Sequence, residues 1–149
     1  MEEKLKIVSI KMETDKELRY EYDEEITNPY IAKKLATKII GNSDRENFLV
    51  LSLNIKHKIN NASVISQGAI DYSLVHPREV FKTAILSNSN KIMVFHNHPS
   101  GDTHPSKNDQ SLTKRLKECG ELLGISLIDH IIVSEDENEY YSFKEHNDL

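Results

Sequence analysis

Apolar and polar residues change rhythm several times along the 149 residues of the chain, and each change predicts an element. Residues 4–12 alternate, with Leu5, Ile7 and Ser9 against Lys6, Val8 and Ile10. Residues 17–22 read as a partner segment across the polar stretch Met12-Glu13-Thr14-Asp15-Lys16. Residues 1–25 are therefore expected to form a β-arm or small hairpin, its acids Glu21, Asp23, Glu24 and Glu25 making a solvated face. The period then lengthens. Ile31, Leu35 and Ile39 are spaced by four, with Ala32 and Ala36 beside them, which predicts a helix. Asn28 is its expected N-cap, Pro29 its first helical position and Gly41 its stop. Lys33, Lys34 and Lys38 fall off the apolar stripe and are expected in solvent.

Phe48-Leu49-Val50-Leu51-Ser52-Leu53 predicts a buried strand. After the polar turn 54–58, Ile59 to Ser66 returns antiparallel to it, and Gly68 breaks the pattern. A second helix starts near Pro77, with Val80, Phe81, Ala84 and Ile85 as its expected buried face and Asn88-Ser89-Asn90 as its end. Residues 91–96, centred on Ile92-Met93-Val94-Phe95, read as a further strand. A third helix is expected from Ser106 to about Leu123, with Leu112, Leu116, Cys119 and Leu123 on one stripe and Gly124 as stop. Residues 125–133 and 140–143 complete the strands. Strands and helices interleave, so residues 26–149 are expected to form one α/β layered domain, a mixed central sheet flanked by helices.

Bulk composition narrows the setting. Nineteen basic against twenty-four acidic residues give a net charge of −5, which argues mildly against non-specific DNA binding. A local basic patch of Lys107, Lys114, Arg115 and Lys117 keeps DNA open as a partner, although a solvated amphipathic helix is the plainer explanation of those residues. The single cysteine, Cys119, excludes an internal disulfide and suits a reducing cytoplasm; on its helical stripe it reads as a core residue. The charged start, Met1-Glu2-Glu3-Lys4-Leu5-Lys6, is unlike a signal peptide. No window approaches the roughly 20 apolar residues of a membrane span. The expectation is a cytoplasmic domain with no membrane partner.

Chemistry concentrates in Phe95-His96-Asn97-His98-Pro99-Ser100-Gly101 and Pro105-Ser106-Lys107-Asn108-Asp109. If the strand carries through, His96 and His98 project to one face, because strand side chains alternate. Two imidazoles on one face are half of a zinc site. Asp109, at the start of the third helix, can fold back as a third ligand, leaving a fourth position for water as catalytic zinc sites do. Asp109 has an ordinary reading too, since Ser106-x-x-Asp109 is close to a helix capping box. Asp102 is a rival ligand on the loop. Pro99, Gly101 and Pro105 set how the two segments meet. The adjacent letters His96-Asn97-His98 do not make an HNH nuclease, whose residues are spread over a longer unit.

The string His96-x-His98, ten residues, Asp109, with Ser106 inside it, resembles the JAMM (MPN+) metalloprotease motif. With Asn97, Pro99, Ser100, Gly101 and Pro105 it is similar to the bacterial RadC branch of that family. The resemblance covers roughly residues 28–145 and implies a cytidine-deaminase-like JAMM fold. Longer RadC proteins carry a helix-hairpin-helix region in front, for which this chain is expected to have no room. The resemblance also implies a catalytic Zn2+ held by His96, His98 and Asp109. Glu46, just before the strand at Phe48, matches the family's general base; Glu79 is an alternative explained as well by a helix dipole. Ser106 resembles the serine that steadies the oxyanion, a role expected to compete with N-capping for its hydroxyl. His104 stands in the loop, and His76 and His130 lie in segments that also look like RadC, all three without an assigned chemical role; His57 and His146 are expected at the surface.

Three functions follow as expectations. The first is a zinc-dependent hydrolase cleaving a peptide or isopeptide bond in a peptide or protein substrate. The second is a non-enzymatic DNA repair or recombination module binding DNA or a protein, and the third is a scaffold that keeps zinc for stability. The intact motif favours the first. Substrate and oligomeric state are not written in the sequence.

Overall fold

The computed structural model of the protein describes residues 1, 3–20, 25–26, 28–68 and 75–149. Residues 3–20 carry neither helix nor strand. The partner segment expected over 17–22 runs into residues outside those described, as do the acids Glu21, Asp23 and Glu24.

Helix α1 (Pro29–Ala36) starts as its sequence dictates: the Asn28 side chain accepts the Ile31 N–H at 3.1 Å, and Pro29 occupies the first turn. A π-helical turn (Thr37–Gly41) continues it. The wider turn adds a residue, so the apolar stripe steps from Leu35 and Ala36 to buried Ile40, and Ile39 is only half-buried. Strands β1 (Asn47–Leu53) and β2 (Ile59–Gln67) pair antiparallel, followed by α2 (Pro77–Leu86) and β3 (Lys91–Asn97). Helix α3 (Lys107–Leu123), β4 (Ser126–Val133) and β5 (Tyr140–Ser142) close the domain.

The five strands form one mixed sheet in the order β2-β1-β3-β4-β5. Only the β3–β4 pair is parallel, with α3 as its crossover; the other pairs are antiparallel. Helix α1 and its π-helical turn cover one face, packing Ala32, Leu35 and Ile40 on Leu49, Leu51, Met93 and Phe95. Helices α2 and α3 cover the other, placing Phe81, Leu112 and Leu116 on Phe48, Val50 and Val94. All seven β1 residues are buried, which is why apolar residues fill both of its faces instead of alternating. This is the α/β architecture expected from the sequence, with layers on both sides of the sheet.

Other side chains depart from expectation as well. Lys33, expected in solvent, is buried: its stem lies against the core, its ammonium sits 4.7 and 4.2 Å from the ring centres of Tyr30 and Tyr140, and it donates to the Glu137 carbonyl. Ile85 and Leu123, expected inside, are half-exposed at the rims of α2 and α3. On α3 the buried stripe runs Asp109, Leu112, Thr113, Leu116 and Gly120, with Cys119 half-buried at its edge. Among the described residues, no helix is long and apolar enough to cross a membrane.

Candidate metal centre

Strand β3 is held on both sides to its end, with Phe48 of β1 and Ile132 of β4 flanking His96. The His98 N–H continues the ladder by donating to the Val133 carbonyl at 3.1 Å. The chain is thus still extended at His98, and the two imidazoles share a face. The backbone then turns sharply: Gly101, at φ 84, donates its N–H to the His98 carbonyl at 2.9 Å. That left-handed conformation suits glycine.

Asp109 arrives from the first turn of α3. Its Oδ2 accepts the Ser106 N–H at 2.7 Å while the Ser106 hydroxyl accepts the Asp109 N–H at 3.1 Å, a complete capping box. Capping and histidine contact therefore coexist. The Oδ1 of the same carboxylate lies 3.2 Å from His96 Nε2, and Oδ2 lies 3.6 Å from His98 Nε2. The Ser106 hydroxyl serves the cap as an acceptor, so its own proton stays available, and the expected competition between capping and donation does not arise.

The two Nε2 atoms are 2.9 Å apart. Zinc bonds of about 2.0–2.1 Å at the tetrahedral angle separate donor atoms by about 3.3 Å. The separations here, 2.9 Å between the two nitrogens, 3.2 Å from His96 to Oδ1 and 3.6 Å from His98 to Oδ2 of the Asp109 carboxylate, lie on either side of that value. Two nitrogens and one carboxylate oxygen are also the donor types zinc accepts. The set fits a metal ion, and among the described residues it is the group whose ligand atoms converge this way.

Both rings are oriented from behind. His98 Nδ1 is 2.6 Å from the Asp102 carbonyl, which only accepts, so Nδ1 carries hydrogen and the neutral ring turns the Nε2 lone pair inward. Asp102 thus enters through its backbone; its carboxylate accepts the His104 N–H at 2.9 Å, outside the converging set. His96 Nδ1 is 2.8 Å from His130 Nε2, and His130 Nδ1 is 2.6 Å from the Thr113 hydroxyl. Phe48 stacks on His96 and Phe143 on His130, with interplanar angles of 9° and 8°.

Electrostatics follow the geometry. Burial pushes the Asp109 carboxyl up, but hydrogen bonds from His96 and His98 outweigh it and hold the group well below the usual carboxylate range. The Asp109 hydrogen bond raises His98, against its burial. Burial pushes His130 well below the usual histidine value, so it stays neutral.

Glu46 immediately precedes β1. Extending the β1–β3 register, in which Phe48 faces His96, by two residues puts Glu46 across from His98. The Asp109 hydrogen bond is the main cause that raises His98, and the Glu46 charge adds the smallest of the contributions in the same direction. Asn97, fully buried between the histidines on the opposite face, ties this segment down. Its side-chain oxygen accepts the Asn47 N–H at 2.7 Å, and its amide donates to the Arg45 carbonyl at 2.9 Å. Glu79, the alternative base, is paired with Lys82 at 2.7 Å in the first turn of α2.

Of the remaining histidines, His76 caps α2, accepting the Arg78 N–H at 3.2 Å. His104 and His146 are exposed, whereas His57, expected at the surface, is half-buried against Lys91. Lys114 and Lys117 line a depression shared with Glu118, Glu121 and Asp148, so charge there is mixed. The sequence reading missed Thr113 and Asn97 and left His130 without a role. Asn97 was open to notice, since it must face away from His96 and His98, into the core. Thr113 carried a weaker signal, four residues beyond Asp109 on the same helix face.

Comparison with known proteins agrees with this geometry. The model of the family described as RadC-like JAB domain matches residues 26–148. A UPF0758 protein of Staphylococcus epidermidis is 46% identical over 112 residues, 75% of this chain and 50% of the relative. One of Rubrobacter xylanophilus is 44% identical over 124 residues, 83% of this chain and 53% of the relative. One of Thermotoga maritima is 47% identical over 106 residues, 71% of this chain and 47% of the relative. The chain spans about half the length of these curated relatives.

Proposed function

The chain belongs to the RadC-like JAB domain family, and on that premise we propose that it is a zinc-dependent hydrolase of the JAMM type, cleaving a peptide or isopeptide bond. The observation that carries the reading is the convergence of His96 Nε2, His98 Nε2 and the Asp109 carboxylate on one point, each orienting atom behind them already committed. A bound zinc supplies Lewis acidity, lowering the pKa of water towards about 7 and polarising a carbonyl.

The protein's own groups do the rest. Asp102 and His130 keep both Nε2 lone pairs turned inward. Glu46, across from His98, takes the proton from the attacking water and returns it to the leaving nitrogen. The Ser106 hydroxyl, its oxygen used by the cap, donates a hydrogen bond to the oxygen of the scissile carbonyl as charge develops there. His96 is closed off, whereas His98 borders an open cleft of about 600 Å³ lined by Ser43, Asp44, Pro99, Ser100, Glu135 and Glu139. The substrate approaches from that side.

The test is metal content of the purified chain together with a screen of peptides and lysine isopeptides. One zinc per chain and cleavage abolished by chelator and restored by zinc are expected. A chain that takes up no zinc on reconstitution would defeat the reading.

A further inference from the structure

A buried chain of hydrogen bonds leads from Asp109 back to His96, and each of its directions is fixed by chemistry. The Thr113 hydroxyl donates to the Asp109 backbone carbonyl at 2.7 Å. A carbonyl only accepts, and a hydroxyl has a single proton. Thr113 therefore has no proton left for His130, 2.6 Å away, and must accept from His130 Nδ1–H. His130 is fully buried between Phe48, Phe143 and His96, with no carboxylate against its ring nitrogens, so an imidazolium there would be an unpaired buried charge. In the neutral ring, a hydrogen on Nδ1 leaves Nε2 bare. His130 Nε2 must then accept from His96 Nδ1, 2.8 Å away, and His96 is left with its lone pair on Nε2.

We propose that Thr113 and His130 are positioning residues that set His96 in the tautomer protonated on Nδ1, its Nε2 lone pair aimed at the point shared with His98 and Asp109. The α3 backbone carbonyl at Asp109 thereby dictates, through two side chains, which nitrogen of a β3 histidine is available as a ligand. The same residue that contributes a carboxylate to the site contributes the carbonyl that orients its neighbour. The consequence for zinc rests on the metal reading above; the direction of the hydrogen bonds does not. Outer partners of this kind are commonly worth 10–100-fold in metal affinity.

The experiment is 15N-resolved NMR of the histidine rings in the full chain, metal-free at pH 8 and after adding zinc, with zinc affinity measured by competition. His130 is expected with hydrogen on Nδ1 and a bare Nε2 in both states, and His96 with hydrogen on Nδ1 once zinc is added. Thr113→Val should weaken zinc about 10–100-fold, whereas Thr113→Ser, which keeps the hydroxyl, should stay near the parent. Finding His130 protonated on Nε2, or a folded Thr113→Val that binds zinc as tightly as the parent, would overturn the proposal. If Thr113→Val does not fold, the parent spectrum and Thr113→Ser decide. A parent that takes up no zinc but shows the expected His130 tautomer upholds the hydrogen-bond direction and defeats the hydrolase reading alone.

Discussion

Asn97 holds Asn47 from fifty positions away: its side-chain oxygen accepts the Asn47 N–H at 2.7 Å, while its amide donates to the Arg45 carbonyl at 2.9 Å. Glu46 lies between those two anchored residues. The residue separating the two histidines in sequence therefore fixes the segment carrying the carboxylate on the neighbouring strand.

Asn97→Ala should strand the Asn47 N–H in a buried site, while the Arg45 carbonyl keeps the bond it accepts from the Asn47 side-chain amide at 2.9 Å. An unsatisfied buried group costs about 1–3 kcal/mol, so a loss of about that size in urea unfolding is expected. Zinc stoichiometry should stay near one per chain, because no ligand atom is touched. A variant as stable as the parent would show that Asn97 does not anchor this segment.

The sequence made the ligands legible because their signal is local. Strand alternation pairs His96 with His98, and a helix start presents Asp109. From Asn28 onward, the strands, helix starts and stops, and sheet class were legible for the same reason, whereas the alternation over residues 4–12 has no strand to match it in the structure. What was hidden depends on distant contacts. The partners of Asn97 and His130 are set by the β1–β3 and β3–β4 registers, which periodicity does not give. Lys33 misleads any polar–apolar pattern, because its stem is buried and its charge rests between two tyrosine rings, one of them over a hundred residues on. The π-helical turn shifted Ile39 off the stripe by one residue, a backbone event with no residue-type marker.

Without metal, and below the raised His98 pKa, Asp109 and His98 face each other as carboxylate and imidazolium, with His96 supplying the larger share of the Asp109 lowering. His98 is raised, so its contribution is complete below the unfolded value of about 6.5 and is lost as pH rises through its folded value. Asp109 is lowered, so its contribution is present above about 3.9 and is lost as pH falls towards its folded value. The pair thus stabilises the metal-free chain most between about pH 4 and 6.5. Melting temperature of the metal-free chain should drop from pH 6 to 9 more in the parent than in Asp109→Asn. Zinc needs the His98 lone pair, so its affinity should instead climb over the same range. Parallel melting curves for parent and variant would contradict the pairing.

Gly120 sits where α3 meets the chain entering β4. A Cβ there would collide with the Ile125 carbonyl oxygen, a backbone atom that cannot swing away. Gly124 poses a different problem, φ 70 with open space around it. Gly120→Ala should cost about 3 kcal/mol or more by overpacking, against about 1–2 kcal/mol for Gly124→Ala by strain alone. Urea midpoints at matched slope check the order. Equal losses would mean that α3 and β4 separate at little cost, and Asp109 would then be held less rigidly than its capping box implies.

Replacing the base and replacing a ligand should fail differently. Glu46→Gln keeps shape and removes the proton acceptor, while His96, His98 and Asp109 stay as they are. Zinc content should be unchanged, and turnover of any peptide or isopeptide that the parent cleaves should fall about 10²–10⁴-fold, the range for losing a general base. His96→Ala removes a ligand and unpairs His130 Nε2 in the core. It should lose zinc, stability and turnover together. The contrast carries the information. If Glu46→Gln lost zinc as readily as His96→Ala, Glu46 would be a fourth ligand, and the position assigned to water would be closed. If Glu46→Gln kept both zinc and turnover, another group would be the base. Glu79 would then be the first to replace, although its ion pair with Lys82 on α2 leaves it occupied elsewhere.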